Sequence, residues 1–142
     1  MDLYKIAASG LKGIGKKTLT KLCAKTNGLK ALFEEDIISL SERCNIKKEL
    51  LTNMNRNKAL ALAEKQLIFN KRYGIQTLFY KDSGYPALLK ECTDAPITLF
   101  YKGNAPLNTR TVSIIGTRKA TSYGKENVEH IISKFQGQKT IV

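Results

Sequence analysis

The sequence predicts an α+β chain in which a helical region precedes the beginning of an α/β region. Three observations predict this arrangement. Residues 1–72 carry apolar side chains at helical spacing, residues 73–142 contain short β-branched and aromatic segments, and Gly74 separates the two patterns. We therefore expect a helical domain over 1–72 and an incomplete α/β domain over 73–142.

The helical region is expected to contain five helices. In the second, lysines recur every fourth residue along one face and leucines occupy the opposite face. Gly74 is placed to end the longest helix, because glycine readily takes the positive φ of a helix C-terminus. The apolar stripe of that helix is expected to comprise Leu60, Ala63, Leu67 and Ile68. The expected helices cover residues 3–8, 16–25, two short stretches beginning at 29 and 37, and 55–73.

Short apolar segments predict strands at 75–80, 97–101, 111–115 and from residue 139 onward. Residues 111–115 are almost wholly apolar, which fits a strand buried on both faces of a parallel sheet. An amphipathic helix separates this strand from the last one, and such a strand–helix–strand unit begins a Rossmann-like sheet. Because two parallel strands cannot bury both faces of a sheet, we expect the chain to be truncated within this domain.

Charge is the most informative bulk property. Twenty-four Lys and Arg residues against twelve Asp and Glu residues give a net charge of +12. Residues 1–33 contain seven lysines and only one acidic residue, Asp2. A field of this sign attracts polyanions such as nucleic acid, although a basic surface that contacts only solvent has the same composition. Charge alone leaves both interpretations open.

Several classes of protein are disfavoured. No apolar segment is long enough for a membrane span and no signal peptide is visible, so we expect a cytoplasmic protein without membrane contact. Cys23, Cys44 and Cys92 are widely spaced and His130 is the single histidine, which favours buried, reduced thiols and argues against a metal or cofactor. No Ser–His–Asp, Cys–His or paired-carboxylate pattern is visible, so we identify no catalytic residue.

The loop after the third strand is the stronger motif. A glycine at the end of the strand allows close approach of a ligand, and free N–H groups at the start of the next helix attract an anion. Arg118 adds a planar fork suited to phosphate. Two glycines eight residues apart do not fit a dinucleotide fingerprint, and an ordinary capped turn with a solvated arginine is the alternative. The candidate DNA- or phosphate-binding residues are Gly116, Thr117, Arg118, Lys119, Thr121, Ser122 and Gly124.

The second motif is a Gly-x-Gly hairpin between the first two helices. It resembles a helix–hairpin–helix, which can present backbone N–H groups to a DNA phosphate while nearby lysines add charge without reading bases. The alternative is a plain connector or a surface that docks a partner protein. The candidate residues for this secondary DNA contact are Gly13, Gly15, Lys16, Lys17 and Lys21.

Four segments occur in an order that resembles a known family. They are the hairpin region 11–22, a Gly-Tyr-Pro-Ala-Leu-Leu segment at 84–89, a segment at 94–104 that contains Leu-Phe-Tyr-Lys-Gly, and residues 112–124, which contain Ile-Gly-Thr-Arg and Thr-Ser-Tyr-Gly. In series they resemble the DNA-processing protein A (DprA/Smf) family. The resemblance covers essentially the whole chain, with the departure that the family's later glycine-rich segments would lie beyond residue 142.

The resemblance implies a SAM-like helical domain containing the helix–hairpin–helix, followed by a SLOG-type Rossmann-like domain that binds single-stranded DNA. Family members protect incoming DNA during natural transformation (competence), help to load the RecA recombinase, and commonly form homodimers through the complete Rossmann-like domain. Gly116, Thr117 and Arg118 correspond to the family's Gly-Ser/Thr-Arg signature at its DNA pocket. By resemblance, we expect a non-catalytic protein of homologous recombination.

Two other classes of function remain open from the residues alone. A Rossmann-like enzyme that binds nucleotides or hydrolyses phosphoribosyl bonds could use the same phosphate pocket, but it would need an acidic cluster beyond residue 142. Alternatively, residues 1–72 could be a helical module that docks a recombination partner and contacts no DNA.

Overall fold

The computed structural model describes residues 2–141, which fall into two compact units, the first ending at Gly103 and the second beginning at Asn104. The first unit contains α1 (Asp2–Ser9), α2 (Lys16–Lys25), α3 (Leu29–Glu34), α4 (Ile37–Cys44), α5 (Lys48–Asn53), α6 (Arg56–Tyr73), β1 (Gln76–Phe79), α7 (Ala87–Glu91) and β2 (Thr98–Tyr101). The second contains β3 (Arg110–Thr111), α8 (Ser122–Ser133) and β4 (Thr140–Ile141). The predicted α+β class is confirmed.

Local caps explain several helix boundaries. The Asp36 carboxylate accepts hydrogen bonds from the Ile38 and Ser39 N–H groups, at 2.9 and 3.1 Å, and so begins α4. Gly74 ends α6 with a φ of 64°, and its N–H donates to the Asn70 carbonyl, as the sequence predicts. The sequence did not predict α5, because the only apolar residues within it, Leu50 and Leu51, are adjacent and therefore define no helical period.

The core of the first unit is built mainly from the helices. α1 packs along α6, and both helices bury small side chains, Ala7 and Ala8 in α1 and Ala59 and Ala63 in α6. The predicted apolar stripe of α6 is wrong at Ile68, which is exposed, because the helix turns its alanine face to α1. The largest fully buried side chains are Leu19, Leu22, Leu32, Leu40, Leu51 and Met54.

The two strands of the first unit form an antiparallel pair that is tied to α1. Gln76 lies opposite Tyr101 at one end of the pair. The Thr98 hydroxyl donates to the Lys5 carbonyl at 2.7 Å, and the Lys5 ammonium donates to both carboxylate oxygens of Asp82 at 2.9 and 2.8 Å. These contacts explain why residues 73–103 cluster with the helices, whereas the sequence assigns them to the α/β domain. A domain boundary at residues 72 and 73 stays a prediction.

The second unit is a strand–helix–strand unit with parallel strands, as predicted. Arg110 lies opposite Thr140, and α8 connects the two strands. The predicted buried strand over 111–115 is wrong, because β3 ends at Thr111 and Ile115 is 92% exposed. Within residues 2–141, β3 pairs with one two-residue strand only, so neither face of this sheet is enclosed. A Rossmann-like sheet stays a prediction.

The cysteines differ in burial although none of them forms a disulfide. Cys44 is buried and Cys23 is half-buried, and burial raises the pKa of the Cys23 thiol while the charge of Lys81 opposes this. The expectation of buried thiols is wrong for Cys92, which is exposed because it follows the short surface helix α7. Among the helices described between residues 2 and 141, none is long and apolar enough to cross a bilayer.

Candidate nucleic-acid interface

The loop that leads from β3 to α8 opens onto a cleft of about 760 Å³. Four of the seven predicted site residues line this cleft, namely Gly116, Thr117, Thr121 and Gly124. Nothing lies within 4 Å of the position that a Cβ would take at Gly116, so a ligand can approach the backbone there. The cleft is therefore lined by both glycines and both threonines of the motif.

Three residues of the motif do not line the cleft, namely Arg118 and Lys119 of the loop and Ser122, the first residue of α8. Arg118, Lys119 and Ser122 are exposed. Within the described part of the chain, no carboxylate lies close enough to Arg118 to form an ion pair. The guanidinium is therefore available to an anion in solution.

The start of α8 has the geometry of an anion site. Thr121 is the N-cap residue, and its hydroxyl accepts the Gly124 N–H at 3.1 Å while keeping its own proton to donate. The Thr117 hydroxyl accepts the Lys119 N–H at 3.3 Å, which fixes the turn. The N–H groups of Ser122 and Tyr123 have no acceptor among the described residues, so they and the helix dipole favour a negative charge at this point.

Sequence reasoning missed two charged residues of the cleft, Lys125 and Glu129. Both follow Thr121 at intervals of four residues along α8, so the helical spacing could have identified them. Glu129 lies eight residues from Thr121, about 12 Å along the helix axis, and this distance keeps its charge away from the anion site. The cation of Lys125 lies one turn from that site.

Part of the lining of the cleft is apolar. Ile114 and Ile115 of the loop and Val128 and Ile132 of α8 supply it. The lining thus combines one cation, Lys125, and the hydroxyl and N–H groups of the loop with aliphatic side chains, which suits a ligand that carries both an anionic and an apolar part. Within residues 2–141, no group of three or more His, Cys, Asp or Glu side chains is arranged to hold a metal ion.

The hairpin between α1 and α2 places its candidate residues differently. Gly13 takes a φ of 75°, and the N–H of Lys12 donates to the Met54 carbonyl at 3.4 Å, which anchors the hairpin to the helical core. The Lys16 ammonium donates to the carbonyls of Lys90 and Cys92 at the end of α7. Lys16 is thus occupied within the protein. The side chains of Lys17 and Lys21 are exposed, as is the backbone at Gly15.

Comparison with known proteins shows that the loop before α8 lies in a segment shared with a protein family. Residues 76–142 match the model of the family described as DNA recombination-mediator protein A. This segment belongs to that family. The DNA processing protein DprA of Bacillus subtilis (strain 168) is 40% identical over 67 residues, and the protein of the same name from Streptococcus pneumoniae (strain ATCC BAA-255 / R6) is 39% identical over 62 residues. These matches confirm the predicted resemblance for residues 76–142, whereas the sequence predicted it for essentially the whole chain.

The extent of these matches is limited. They cover 46% and 43% of this chain but only 23% and 22% of the two relatives, so the chain spans less than a quarter of the relatives it matches. The whole cleft lies inside the family segment, whereas helices α1 to α6 lie outside it. No solved structure matches the chain significantly.

Proposed function

We propose that the chain binds single-stranded DNA without catalysing a reaction, and that it acts in DNA uptake, natural transformation and homologous recombination. The observation that carries the proposal is an exposed Arg118, without an ion pair in residues 2–141, on the loop that leads to the N–H groups at the start of α8, which have no acceptor among the described residues. This loop lies within the family segment, and both relatives are named DNA processing proteins.

In the proposed binding mode, the phosphate and the base occupy different parts of the site. Arg118 and Lys119 hold a phosphate, and the N–H groups at the start of α8 share it. A base lies against the exposed aliphatic side chains of Ile114 and Ile115, which line the cleft. Because no base edge is read by this arrangement, binding is expected to be nearly independent of sequence.

The wider role is proposed from the family. The protein protects incoming single strands in the cytoplasm and assists loading of the RecA recombinase, with a homodimer formed through a complete Rossmann-like domain of the SLOG type. The helical region takes the part of the SAM-like helix–hairpin–helix domain. At its hairpin, Gly13, Gly15, Lys17 and Lys21 remain available for a secondary DNA contact, whereas Lys16 is held by α7.

The test is an anisotropy titration of a labelled thymidine oligonucleotide with the chain and with Arg118→Ala. Loss of charge-assisted hydrogen bonds to phosphate should weaken binding roughly ten- to hundredfold. Arg110→Ala is the matched control, because it removes the same charge from an exposed residue of the same unit. Equal affinities of the chain and Arg118→Ala would remove Arg118 from the site, and equal losses in both variants would reduce its role to bulk charge.

A further inference from the structure

The surface face of α6 carries cationic and apolar side chains in alternation. Six such residues follow one another at spacings of four, three, four, three and one positions, so all six fall on one side of the helix. We call this set the α6 stripe. It consists of Lys58, Leu62, Lys65, Phe69, Arg72 and Tyr73.

The α6 stripe is exposed although half of it is apolar. Phe69 and Tyr73 are 47% and 45% exposed, and their ring centroids lie 4.5 Å apart. The Arg72 guanidinium lies 5.6 Å from the centroid of the Tyr73 ring. The core of the protein uses a different side of the helix, where Ala59 and Ala63 are buried. The two rings are therefore held on the surface by each other and by Arg72.

The charge of the α6 stripe is entirely positive. Lys58, Lys65 and Arg72 are exposed, and in the described part of the chain none of them forms an ion pair. Glu64, the acidic residue of α6, falls on the other side of the helix by its spacing. An occupant of this face must therefore be anionic and must also offer apolar or aromatic surface.

Single-stranded nucleic acid meets both requirements. Aromatic side chains stack on the faces of unpaired bases, whereas cations beside them pair with the phosphates between those bases. Fifteen residues separate the ends of the stripe, a length of about 22 Å along the helix, which accommodates several nucleotides. In a duplex the faces of the bases are already stacked on one another, so a duplex has no exposed base face on which Phe69 or Tyr73 could stack.

We propose that the α6 stripe is a second contact for single-stranded nucleic acid, distinct from both the loop before α8 and the hairpin. The proposal extends the single-strand binding proposed above to another surface. It makes the aromatic pair the stacking platform and the three cations the phosphate contacts.

The test compares variants of the whole chain in the same anisotropy titration, with single-stranded and duplex oligonucleotides. Phe69→Ala should weaken single-strand binding about five- to hundredfold through loss of stacking, and it should leave duplex binding unchanged. Phe100→Ala is the matched control, because Phe100 is 46% exposed but lies on β2. Circular dichroism checks that both variants retain the helical content of the unchanged chain.

A second pair of variants tests the charge pattern. Lys65→Gln should lower the slope of log affinity against log salt by about 0.7, the contribution of one phosphate contact on a single strand. Lys71→Gln removes the same charge from the same helix, but its position lies outside the stripe. The slope should not change for Lys71→Gln.

The outcomes separate this proposal from the proposed function. If Phe69→Ala binds the single strand as tightly as Phe100→Ala does, the inference is overturned, and an anionic protein partner becomes the better occupant of the stripe. If Arg118→Ala loses affinity while Phe69→Ala does not, the loop site is supported and the stripe is not. If Phe69→Ala alone loses affinity, the stripe stands and the loop site fails. A chain that binds no oligonucleotide overturns both.

Discussion

The two compact units differ in how much apolar surface they bury. The first contains a continuous core in which six large side chains are fully buried, whereas no described residue from Asn104 to Ile141 is buried. A pair of two-residue strands and one helix cannot enclose a core. The comparison indicates that the first unit supplies most of the conformational stability. The loop proposed to bind DNA belongs to the second unit, whose apolar residues are not buried.

The largest expected effect tests the difference in packing. Leu22→Ala should lower the free energy of unfolding by about 2–5 kcal/mol, because Leu22 is fully buried and the shorter side chain leaves a cavity. Ile115→Ala removes a similar amount of aliphatic surface from the second unit, where Ile115 is 92% exposed, and should change stability by less than about 0.5 kcal/mol. Urea denaturation followed by circular dichroism measures both. Similar losses in the two variants would contradict the comparison.

A smaller effect is expected at the ion pair that joins α1 to the turn after β1. Burial acts to raise the pKa of Asp82, but hydrogen bonds from the Lys5 ammonium and the Phe79 N–H, with the charge of Lys5, hold this pKa below its unfolded value of 3.8. Because the folded pKa is the lower one, the ionised carboxylate stabilises the fold above pH 3.8, and this contribution is lost as the pH falls through the folded pKa.

Asp82→Asn should therefore cost roughly 1–2 kcal/mol at neutral pH, a range reduced for partial exposure of the pair. It should also flatten the decline in the free energy of unfolding on acidification. Measurement of that free energy from neutral pH down to about pH 2 checks both statements. Asp94→Asn, at an exposed aspartate, is the control. A pH profile of Asp82→Asn that superimposes on that of the unchanged chain would show that the pair contributes nothing.

The smallest effect is expected in the second unit. Thr121→Ala removes the N-cap hydroxyl of α8 and should destabilise that helix by about 1 kcal/mol. Because no buried core supports α8, the loss should appear as faster hydrogen exchange at its amides. Thr121→Ser keeps the hydroxyl and should exchange at nearly the original rate. Unchanged exchange in Thr121→Ala would mean that the cap does not hold the helix.

The sequence was most informative where structure depends on neighbouring residues. The bounds of α2 and the end of α6 at Gly74 follow from lysine spacing, leucine spacing and the conformational freedom of glycine. The family resemblance could likewise be recognised from short contiguous segments of the sequence. The start of α8 also follows from its cap, since Thr121 and Gly124 are only three residues apart.

Features that depend on contacts between residues far apart in the chain could not be predicted from the sequence. Lys16 was a candidate for DNA contact, but it is held by carbonyls that lie more than seventy residues away in the chain. Ile114 and Ile115 read as a buried strand because an apolar run shows only that burial is favourable, not that covering layers are present. In α6, hydropathy alone could not show that Ala59 and Ala63 face α1 while Phe69 faces solvent.

The exposed side chains of Ile114 and Ile115 in the second unit are expected to favour self-association in concentrated salt. A net charge of +12 keeps separate copies apart in dilute buffer. At about 1 M salt this repulsion reaches only about 3 Å, so Ile115 of one molecule can contact Ile115 of another. Self-association should therefore increase with ionic strength, and release of a bound polyanion should increase with it. Light scattering distinguishes the two processes, because only self-association raises the mass of the particles.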